Sequence, residues 1–539
     1  MAYGVLSLES GVVPRIHLVS NLPGVSALGD HLRAAGLGPT SARSADALLV
    51  LIDRPLDSVE QELLDRARQS VPVLLAGPTV RALPSDSPLV EASGLIPGHT
   101  TPPHELRLSA GPNGAEVAAR MGDFRPVDTW VVPDKIADDV ERLLLVKNGM
   151  TEHPVCTWRP STGLGMFTLG STASTLADPA YHRLVGRWLR HTLGVRDDAP
   201  VGVGLLGAPG MSAAHQTALE ATEGLNLVAT SGADHPGARP GDQQPRSHDD
   251  PDGLIADADV RLVVVATPNN SRAQWAARAL EAGKDVVIPS PFALSTQEAD
   301  DLALLAAARS SLLATYPQGR ADPAYRTLRA AVRRGAIGDI LAVEFVQGGH
   351  RRPAGGWRDD ERASGGILHD RAAAHLDWIL DLVDEPVEWV TATSHKRVWH
   401  HVTNADHARV LLRFAGGAEA QVTVSDLLPV PTARLHVLGT TGSVVGDDPA
   451  TAVLGGGTDG APADGMSAGP LTVVAADGTR TRLPLLTGVA HPFHRDLADA
   501  LLSGWPLAGY RVEAARRVVA VAEAATRSAG GGGVQIGPA

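Results

Sequence analysis

A glycine-bearing turn near residue 207 is the first place in the sequence where chemistry could occur. The apolar segment 201–207, VGVGLLG, predicts a strand, and the segment 212–224 after it predicts a helix. Backbone N–H groups at such a turn can bind a phosphate, as in the dinucleotide motif G-x-G-x-x-G. The second glycine position is a proline, which has no N–H to donate, so the alternative is a tight turn without a ligand. The candidate phosphate-binding residues are Gly207, Ala208, Pro209, Gly210 and Met211.

Two other segments place polar side chains at the ends of predicted elements. DVVIPS, residues 285–290, predicts a short buried strand that brings Ser290 to the edge of an α/β sheet, where ligands bind. Ser290 can donate one hydrogen bond but carries no positive charge. In GGILHDRAAAHLD, residues 365–377, the side chains that could line a polar pocket are His369, Asp370, Arg371 and Asp377. A surface or capping role is the alternative for each of these four.

The elements that must position these residues fall into three groups. Apolar strands alternate with amphipathic helices over residues 1–195, which indicates an α/β domain. Residues 196–200 have the composition of a linker, and a second alternation of strands and helices over 201–324 predicts a parallel sheet. Within it, the Pro, Gly and Asp residues of 235–253 indicate a loop. Over 325–539 apolar and polar residues alternate, as in ARVLLRF, which predicts an α+β domain with a large, mostly antiparallel sheet.

Composition excludes several classes of protein. The formal charge of −13 argues against a general nucleic-acid or anionic-membrane surface. The single cysteine, Cys156, rules out an internal disulfide and fits a reducing compartment. The chain has no secretory signal pattern and no apolar run near the roughly 20 residues that span a bilayer, so we expect a cytoplasmic protein. The spacing of His99, His104 and Glu105 fits no metal-ligand motif, so we expect no metal site.

The order of the motifs resembles that of the glucose-fructose oxidoreductase/inositol dehydrogenase (Gfo/Idh/MocA) family. The resemblance covers roughly residues 200–537 and rests on three segments, VGVGLLGAPGMSAAH, VRLVVVATPNNSRAQWAARALEAGKDVVIPSPFAL and GGILHDRAAAHLD. It implies a Rossmann domain that binds NAD or NADP, followed by an α+β domain whose open sheet carries the substrate and mediates homo-oligomerisation. It also implies oxidation or reduction of a hydroxyl carbon in a sugar, cyclitol or related polyol.

Only some of the family's functional residues are present at the matching positions of this sequence. Thr267, Pro268 and Asn269 match the loop beside the nicotinamide, and Pro291 matches the last residue of the family's Glu-Lys-Pro segment. The lysine position of that segment, which stabilises the developing alkoxide, is Ser290. The acidic position of the third motif is retained as Asp370, but the proton-transferring histidine position is Ala374. His375 lies one residue later, a helical rotation of about 100°. The candidate catalytic residues are Ser290, Asp370 and His375.

The residues expected to bind the adenosine end of the cofactor also depart from the family pattern. An acidic residue that holds the ribose hydroxyls is expected at the end of the strand 225–231, but Ser231 stands there. Asp234 follows too late in the chain to take this role. A serine together with the nearby Arg239 favours NADP over NAD. With Pro209 in the phosphate turn, we expect dinucleotide binding to be weak or lost.

The N-terminal region resembles, more loosely, the trehalose-utilisation (ThuA-like) domains of the glutamine-amidotransferase-like fold. The segments that carry this resemblance are residues 46–77 and 152–194. The nucleophile elbow of that fold falls near LLAGPTVRA, residues 74–82, which offers only Thr79. Cys156 lies in a predicted strand and is interpreted as a small buried hydrophobic residue.

Three functions follow from these patterns. The first is an NAD(P)-dependent oxidoreductase that acts on a sugar or cyclitol with altered cofactor and catalytic motifs. The second is a catalytically inactive protein of the same fold that binds a ligand or regulates. The third is an N-terminal hydrolase or amidotransferase-like enzyme fused to a sensor domain, against which the missing nucleophile counts.

Overall fold

The chain is described by a computed structural model that divides into two compact units. It describes residues 14–538 except 23–24, 36, 40–43, 123, 149, 196–198, 208–211, 233–243, 429–433, 447–469, 487–490, 506 and 508–509. We call residues 1–200, 222–224 and 495–506 the N-terminal unit, and the remainder the C-terminal unit. Residues 495–506, which the sequence groups with the last domain, therefore cluster with the first. Among the described helices, none combines the length and apolarity needed to cross a bilayer.

The N-terminal unit is built on a mixed eight-stranded sheet. The strands of the unit are β1 Arg15–Ser20, β2 Gly38–Pro39, β3 Ala47–Leu51, β4 Val73–Ala76, β5 Leu95–Thr100, β6 His104–Glu105, β7 Leu108–Ala110, β8 Val127–Asp128, β9 Val131–Ile136, β10 Glu141–Asn148, β11 Thr151–Arg159 and β12 Leu164–Phe167. Of these, β5 pairs with β9 and β6 pairs with β8 in two separate two-stranded sheets. The order in the sheet is β2-β1-β3-β4-β12-β11-β10-β7, with parallel pairs from β2 to β12 and antiparallel pairs beyond. Its helices are α1 Val25–Ala34, α2 Ser58–Ala67, α3 Pro78–Arg81, α4 Pro88–Ser93, α5 Ala115–Ala118, α6 Ala173–Leu176 and α7 Pro179–Thr192.

A buried ion-pair cluster lies inside this unit. The Asp499 carboxylate is 1% exposed and accepts hydrogen bonds from Arg187 Nη2 at 2.5 and 2.6 Å and from Arg120 Nε at 2.5 Å. Arg183 Nε lies 3.7 Å from the same carboxylate. Burial lowers the pKa of Arg187 even beside Asp499. Arg183 pairs more closely with Asp496, at 3.0 Å, so Asp499 is above all the partner of the buried Arg120 and Arg187.

The first part of the C-terminal unit is a parallel sheet with the Rossmann strand order. Its elements are β13 Val201–Gly207, α8 Ser212–Glu220, β14 Leu225–Ser231, β15 Arg246–His248, α9 Pro251–Ala256, β16 Leu262–Ala266, α10 Asn269–Glu281, β17 Asp285–Pro289, α11 Thr296–Arg309, β18 Leu313–Tyr316 and α12 Pro323–Arg333. The order β15-β14-β13-β16-β17-β18, all parallel, corresponds to 3-2-1-4-5-6 in chain order. The predicted Rossmann domain is thus confirmed.

The predicted loop over 235–253 is wrong in its second half. Residues 233–243 lie outside the described residues, but β15 and the beginning of α9 fall within the segment. Asp250 caps α9 by accepting a hydrogen bond from Gly253 N at 2.7 Å, and Pro251 occupies the first turn. Asp and Pro, which were interpreted as loop residues, therefore mark a helix start here.

The second part of the C-terminal unit is an eight-stranded sheet packed against helices. Its elements are β19 Ile340–Gly348, α13 Glu361–Ser364, α14 Ala373–Leu382, β20 Val387–His395, β21 His407–Phe414, β22 Glu419–Ser425, β23 Leu435–Gly439, β24 Gly442–Gly446, β25 Leu471–Ala475, β26 Arg480–Leu483 and, after the helix α15 Pro492–Ser503, α16 Val512–Gly530. Most of α15, from residue 495 onwards, belongs to the N-terminal unit. The order is β20-β21-β22-β19-β23-β24-β25-β26, antiparallel except between β19 and β22. Val410, Leu412 and Phe414 face the core, as their alternation predicts.

Candidate functional site

The carboxyl ends of the Rossmann strands form one edge of the candidate site. Gly207 ends β13 and Ser231 ends β14 beside it, with Leu206 paired to Ser231. Gly232 follows with φ of +69°, and a Cβ there would lie 2.7 Å from the carbonyl oxygen of Gly207. The chain therefore needs glycine where these two strands approach each other. The predicted phosphate-binding residues Ala208, Pro209, Gly210 and Met211 lie outside the described residues, as do Asp234 and Arg239.

This edge fits a dinucleotide without an acidic ribose ligand. The strand order reverses between β13 and β16, and open α/β sheets bind dinucleotides at such a switch point. The buried Ser231 stands at the end of β14, where an acidic side chain would hold the ribose hydroxyls. A neutral hydroxyl tolerates a phosphorylated ribose better than a carboxylate does.

A buried arginine supports the backbone on both sides of Ser290. Arg272, from α10, donates to the carbonyl oxygens of Pro289 at 3.3 Å and Pro291 at 2.9 Å, and its Nε donates to that of Thr267 at 2.9 Å. Burial lowers the pKa of Arg272 to about 9, whereas the charge of Asp370 raises it. The arginine thereby ties the end of β16 to the segment after β17.

A ring of hydrogen bonds centred on Asp370 joins this edge to the second part of the unit. Asp370 Oδ1 accepts from Arg358 Nη1 at 2.8 Å and from Asn269 Nδ2 at 3.3 Å. Asn269 Nδ2 also donates to the carbonyl oxygen of Ser364 at 2.8 Å. Asn404 Nδ2 closes the ring, because it donates to the carbonyl oxygen of Arg358 at 2.9 Å and to Ser364 Oγ at 3.2 Å. We call these five residues the Asp370 cluster.

Local backbone structure explains why Asp370 lies here. Gly365 ends α13 with φ of +77°, and a Cβ at this residue would collide with Leu294. The chain then continues through a π-helical turn, Leu368–Ala372, into α14. Single π turns inside helices are frequent at functional sites. The glycine and the π turn together set the direction of the Asp370 side chain.

Two buried oxygens of the Asp370 cluster have no partner among the described residues. They are Asp370 Oδ2 and Asn269 Oδ1. Buried polar atoms are nearly always hydrogen-bonded, so two orphans in adjacent side chains indicate a place for a hydrogen-bonding ligand. A carboxylate and an amide oxygen both accept, and a substrate that donates through hydroxyl groups suits them.

The other predicted side chains occupy different positions around this cluster. His369 is buried, its Nδ1 donates to the carbonyl oxygen of Gly365 at 3.1 Å, and burial lowers its pKa. Arg371 Nη1 donates to Asp426 at 2.8 Å. Asp377 forms a bidentate pair with Arg320, with both contacts at 2.7 Å. Arg371 and Asp377 are thus held by ion pairs, and no surface or capping role applies to His369 or Asp377.

His375 lies in the core of the C-terminal unit rather than in the Asp370 cluster. Its ring packs against those of Phe345 and Trp378, with centroids 5.2 and 5.7 Å away, and is almost fully buried. The rotation of one residue along α14 accounts for this position, since it turns the imidazole towards the sheet. Burial, together with the charge of Arg434 and against a hydrogen bond to the backbone of Arg371, lowers the pKa of His375 to about 4.

This burial predicts an acid-dependent loss of stability. Because the folded pKa lies below the unfolded value of about 6.5, the neutral imidazole favours folding above pH 6.5, and this contribution is lost as the pH falls towards 4. His375→Gln, which does not titrate, should reduce the drop in unfolding free energy between pH 7 and pH 5 by about 2 kcal/mol. Urea unfolding at both pH values tests this. An equal drop in unfolding free energy in the wild type and in His375→Gln would contradict this prediction. The control is His400→Gln, at an exposed position, which should show the wild-type drop.

Sequence reasoning found two members of the Asp370 cluster and missed three. Asn269 was assigned to the cofactor and Asp370 to catalysis, and the structure brings them together. Arg358, Ser364 and Asn404 carried no expectation, because their role depends on contacts across 40 to 46 residues of chain. The sequence signal for Arg358 was its place between Trp357 and a run of acidic residues, shortly before the glycine pair.

No metal site and no nucleophile emerge from the remaining candidates. In the described part of the chain, no group of three His, Cys, Asp or Glu side chains could hold a metal ion. Thr79 is buried, and its Oγ1 accepts a hydrogen bond from Ile52 N at 2.6 Å. Cys156 is buried, and desolvation raises the pKa of its thiol well above the usual value. A protonated, buried thiol does not act as a nucleophile.

Comparisons with known proteins match two segments of the C-terminal unit to family models. Residues 201–316 match the model of the oxidoreductase family with an NAD-binding Rossmann fold, and residues 325–445 match the Gfo/Idh/MocA C-terminal domain. The chain is similar to the uncharacterized oxidoreductase C115.03 of Schizosaccharomyces pombe, with 30% identity over 30% of this chain and 45% of that protein. It spans about half of the length of the first curated relatives that it matches.

Two of the relatives that have a named reaction, and one solved structure with the same fold, show the extent of the similarity. The chain is 29% identical to the 1,5-anhydro-D-fructose reductase of Ensifer adhaerens over 36% of this chain and 59% of that one. It is 24% identical to the scyllo-inositol 2-dehydrogenase (NADP(+)) IolW of Bacillus subtilis over 51% and 78%. An NAD-binding protein from Listeria innocua superimposes with a TM-score of 0.53 at 21% identity, over 62% of this chain and 96% of that one. Residues 201–445 therefore carry the two domains of the Gfo/Idh/MocA family of oxidoreductases.

Proposed function

We propose that the C-terminal unit is an NAD(P)-dependent oxidoreductase acting on a hydroxyl carbon of a sugar, cyclitol or related polyol. The observation that carries this proposal is the Asp370 cluster, which joins Asn269 at the Rossmann edge to a buried carboxylate with an unpartnered oxygen. The named reactions of the two relatives, on an anhydrosugar and an inositol, support the substrate class.

The cofactor would be held at the carboxyl ends of the Rossmann strands. Gly207 and the turn after it would face the pyrophosphate, Ser231 the adenosine ribose, and Thr267, Pro268, Asn269 and Pro291 the nicotinamide end. When bound, the cofactor supplies the acceptor or donor of the hydride. The neutral Ser231 favours NADP, and one relative is named as NADP-dependent. Pro209 in the turn weakens the binding, because it removes one backbone donor.

The chain's own side chains would bind the polyol and hold its proton. Asp370 Oδ2 is an acceptor for the hydroxyl group that reacts, and Asn269 Oδ1 is an acceptor for a neighbouring hydroxyl. Arg358 pairs with the carboxylate of Asp370 at 2.8 Å, and the charge of that carboxylate also acts on the buried Arg272. Ser290, at the family's lysine position, contributes at most a neutral donor.

The alternative function is a catalytically inactive protein that binds a polyol or a nucleotide. The observation in its favour is that the family's lysine and histidine positions hold Ser290 and Ala374, while His375 is buried away from the cluster. The same binding residues would serve either function, so the two proposals differ only in hydride transfer.

Three further proposals concern the rest of the chain. We propose that the N-terminal unit is a ThuA-like domain without a working nucleophile, supported by its mixed sheet and by the buried Thr79 and Cys156. We propose that the C-terminal sheet mediates homo-oligomerisation, supported by the exposed Leu411 and Leu438 on its strands. A cytoplasmic location is supported by the single cysteine.

Titration of the purified chain with NADPH and NADH tests the cofactor assignment. We expect NADPH to bind about tenfold more tightly than NADH, because Ser231 presents no negative charge to a ribose phosphate. Ser231→Asp should reverse this preference, whereas Ser247→Asp, at an exposed position in β15, should leave it unchanged. Cofactor fluorescence gives both dissociation constants. Equal affinity for both cofactors in all three proteins would contradict the assignment.

Turnover separates the two functions. The same protein is incubated with NADP or NADPH and with myo-inositol, scyllo-inositol, glucose or 1,5-anhydrofructose, and the nicotinamide absorbance is followed. Oxidation or reduction of at least one compound supports the oxidoreductase. Cofactor binding without turnover on any compound supports the inactive alternative, and absence of cofactor binding overturns the proposed function.

A further inference from the structure

We propose that Arg358 is the cation that contacts the substrate in this site, in place of the lysine that the family resemblance puts at position 290. The inference rests on the proposed function, since it concerns the same polyol site. It assigns a role to a residue outside all three family motifs.

Arg358 is the solvent-facing half of the pair that it forms with Asp370. The two side chains meet at 2.8 Å, yet that of Arg358 is 40% exposed and that of Asp370 is 1% exposed. The guanidinium therefore covers the carboxylate from the solvent side. A hydroxyl group bound at Asp370 Oδ2 would therefore lie next to the guanidinium, which is bonded to Oδ1 of the same carboxylate.

The guanidinium is held in place by its own segment. Its Cζ lies 4.9 Å from the centroid of the Trp357 ring, a cation–π distance. The carbonyl oxygen of Arg358 accepts from Asn404 Nδ2, and the carbonyl oxygen of Asp359 accepts from the backbone N–H groups of Thr403 and Asn404. A charge positioned before the substrate arrives stabilises a transition state without reorganisation.

Other cations near the motifs do not meet the same conditions. Arg272 is fully buried and is committed to three backbone carbonyls. Lys284 Nζ donates to the carbonyl oxygens of Asp257 and Val260, close to the opposite end of β17. Arg371 is 14% exposed and pairs with Asp426. Arg358 alone among these four is both exposed and bonded to Asp370.

The role of Arg358 is electrostatic and involves no covalent step. Its N–H groups donate to the oxygen of the reacting hydroxyl, and its charge stabilises the negative charge on that oxygen as the proton leaves. A guanidinium donates hydrogen bonds and accepts none, so Arg358 is not the base. The proton acceptor is the carboxylate of Asp370.

Substitution of Arg358 tests the inference. For Arg358→Met we expect the hydride-transfer rate to fall by about 10²-fold or more, with an unchanged dissociation constant for NADPH. Arg358→Lys should retain activity within about tenfold of wild type, because the charge is kept. The matched control is Arg352→Met, at an exposed arginine six residues earlier. Adding Ser290→Lys to the Arg358→Met variant should raise its hydride-transfer rate at least tenfold, since the lysine returns a cation to the family position.

A readout without turnover keeps the inference separate from the proposed function. Saturation-transfer NMR measures binding of myo-inositol to wild type, Arg358→Met and Arg352→Met in the absence of cofactor. If the wild type turns over and Arg358→Met equals Arg352→Met, the inference is overturned while the proposed function stands. If no turnover is found, loss of the inositol signal in Arg358→Met alone supports the contact. An equal signal in all three proteins, or none in the wild type, overturns it.

Discussion

Replacement of Asp370 by asparagine is expected to lower the rate of hydride transfer by about 10²- to 10³-fold. The amide keeps the size of the carboxylate and an oxygen towards Arg358, but it cannot take the proton of the substrate hydroxyl. It also removes the negative charge that holds Arg358 at 2.8 Å. Single-turnover absorbance of the nicotinamide in the complete chain measures the rate.

The control for this prediction is another aspartate of the same unit. Asp384 is almost fully exposed and lies 3.6 Å from Arg517, so Asp384→Asn should leave the rate unchanged. Because Asp370 does not contact the strand ends that would bind the adenosine, Asp370→Asn should keep the wild-type affinity for NADPH. A rate within twofold of wild type in Asp370→Asn would remove Asp370 from the mechanism and would leave the proton transfer to another group.

Replacement of Asp499 by alanine is expected to destabilise the N-terminal unit by about 3–5 kcal/mol. The substitution leaves the buried Arg120 and Arg187 without the carboxylate that both contact. A buried charge that loses its partner keeps its desolvation penalty and loses the attraction that offset it. The change in unfolding free energy is measured by urea unfolding, with hydrogen exchange in peptides of the N-terminal unit as the detection method.

An exposed ion pair of the same unit provides the comparison. Asp30 pairs with Arg33 on the surface of α1, with side chains 69% and 60% exposed, so Asp30→Ala should cost less than about 1 kcal/mol. If Asp499→Ala does not fold, Asp499→Asn retains the shape and hydrogen-bond acceptor, and its smaller loss can be measured. A loss below 1 kcal/mol in the Asp499 variants would mean that the arginines do not need this carboxylate.

The sequence predicted those parts of the structure that depend on neighbours along the chain. The alternation in ARVLLRF predicted a strand with Val410 and Leu412 inward, because side chains in a strand point to opposite faces in turn. The one-residue displacement of His375 predicted a rotation away from the family position. Burial of that ring against Phe345 and Trp378 required the tertiary structure.

The local patterns also misled in one place. The segment around Asp250 and Pro251 has the composition of a loop, yet it contains a third parallel strand and a capped helix. A three-residue strand is too short to show periodicity, and its pairing with β14 supplies the hydrogen bonds that define it. Its existence is therefore a property of the sheet.

The sequence by itself determined the two domain types of residues 201–445, and it selected Asn269 and Asp370 as candidate site residues. Only the tertiary structure decided that these two side chains meet at 3.3 Å across 101 residues, and that Arg358 covers the carboxylate. The physical reason is the distance along the sequence over which each effect acts, because hydrophobic periodicity and helix capping depend only on residues within a few turns of chain. The partner of a buried charge is set instead by which distant segments the packed core brings together.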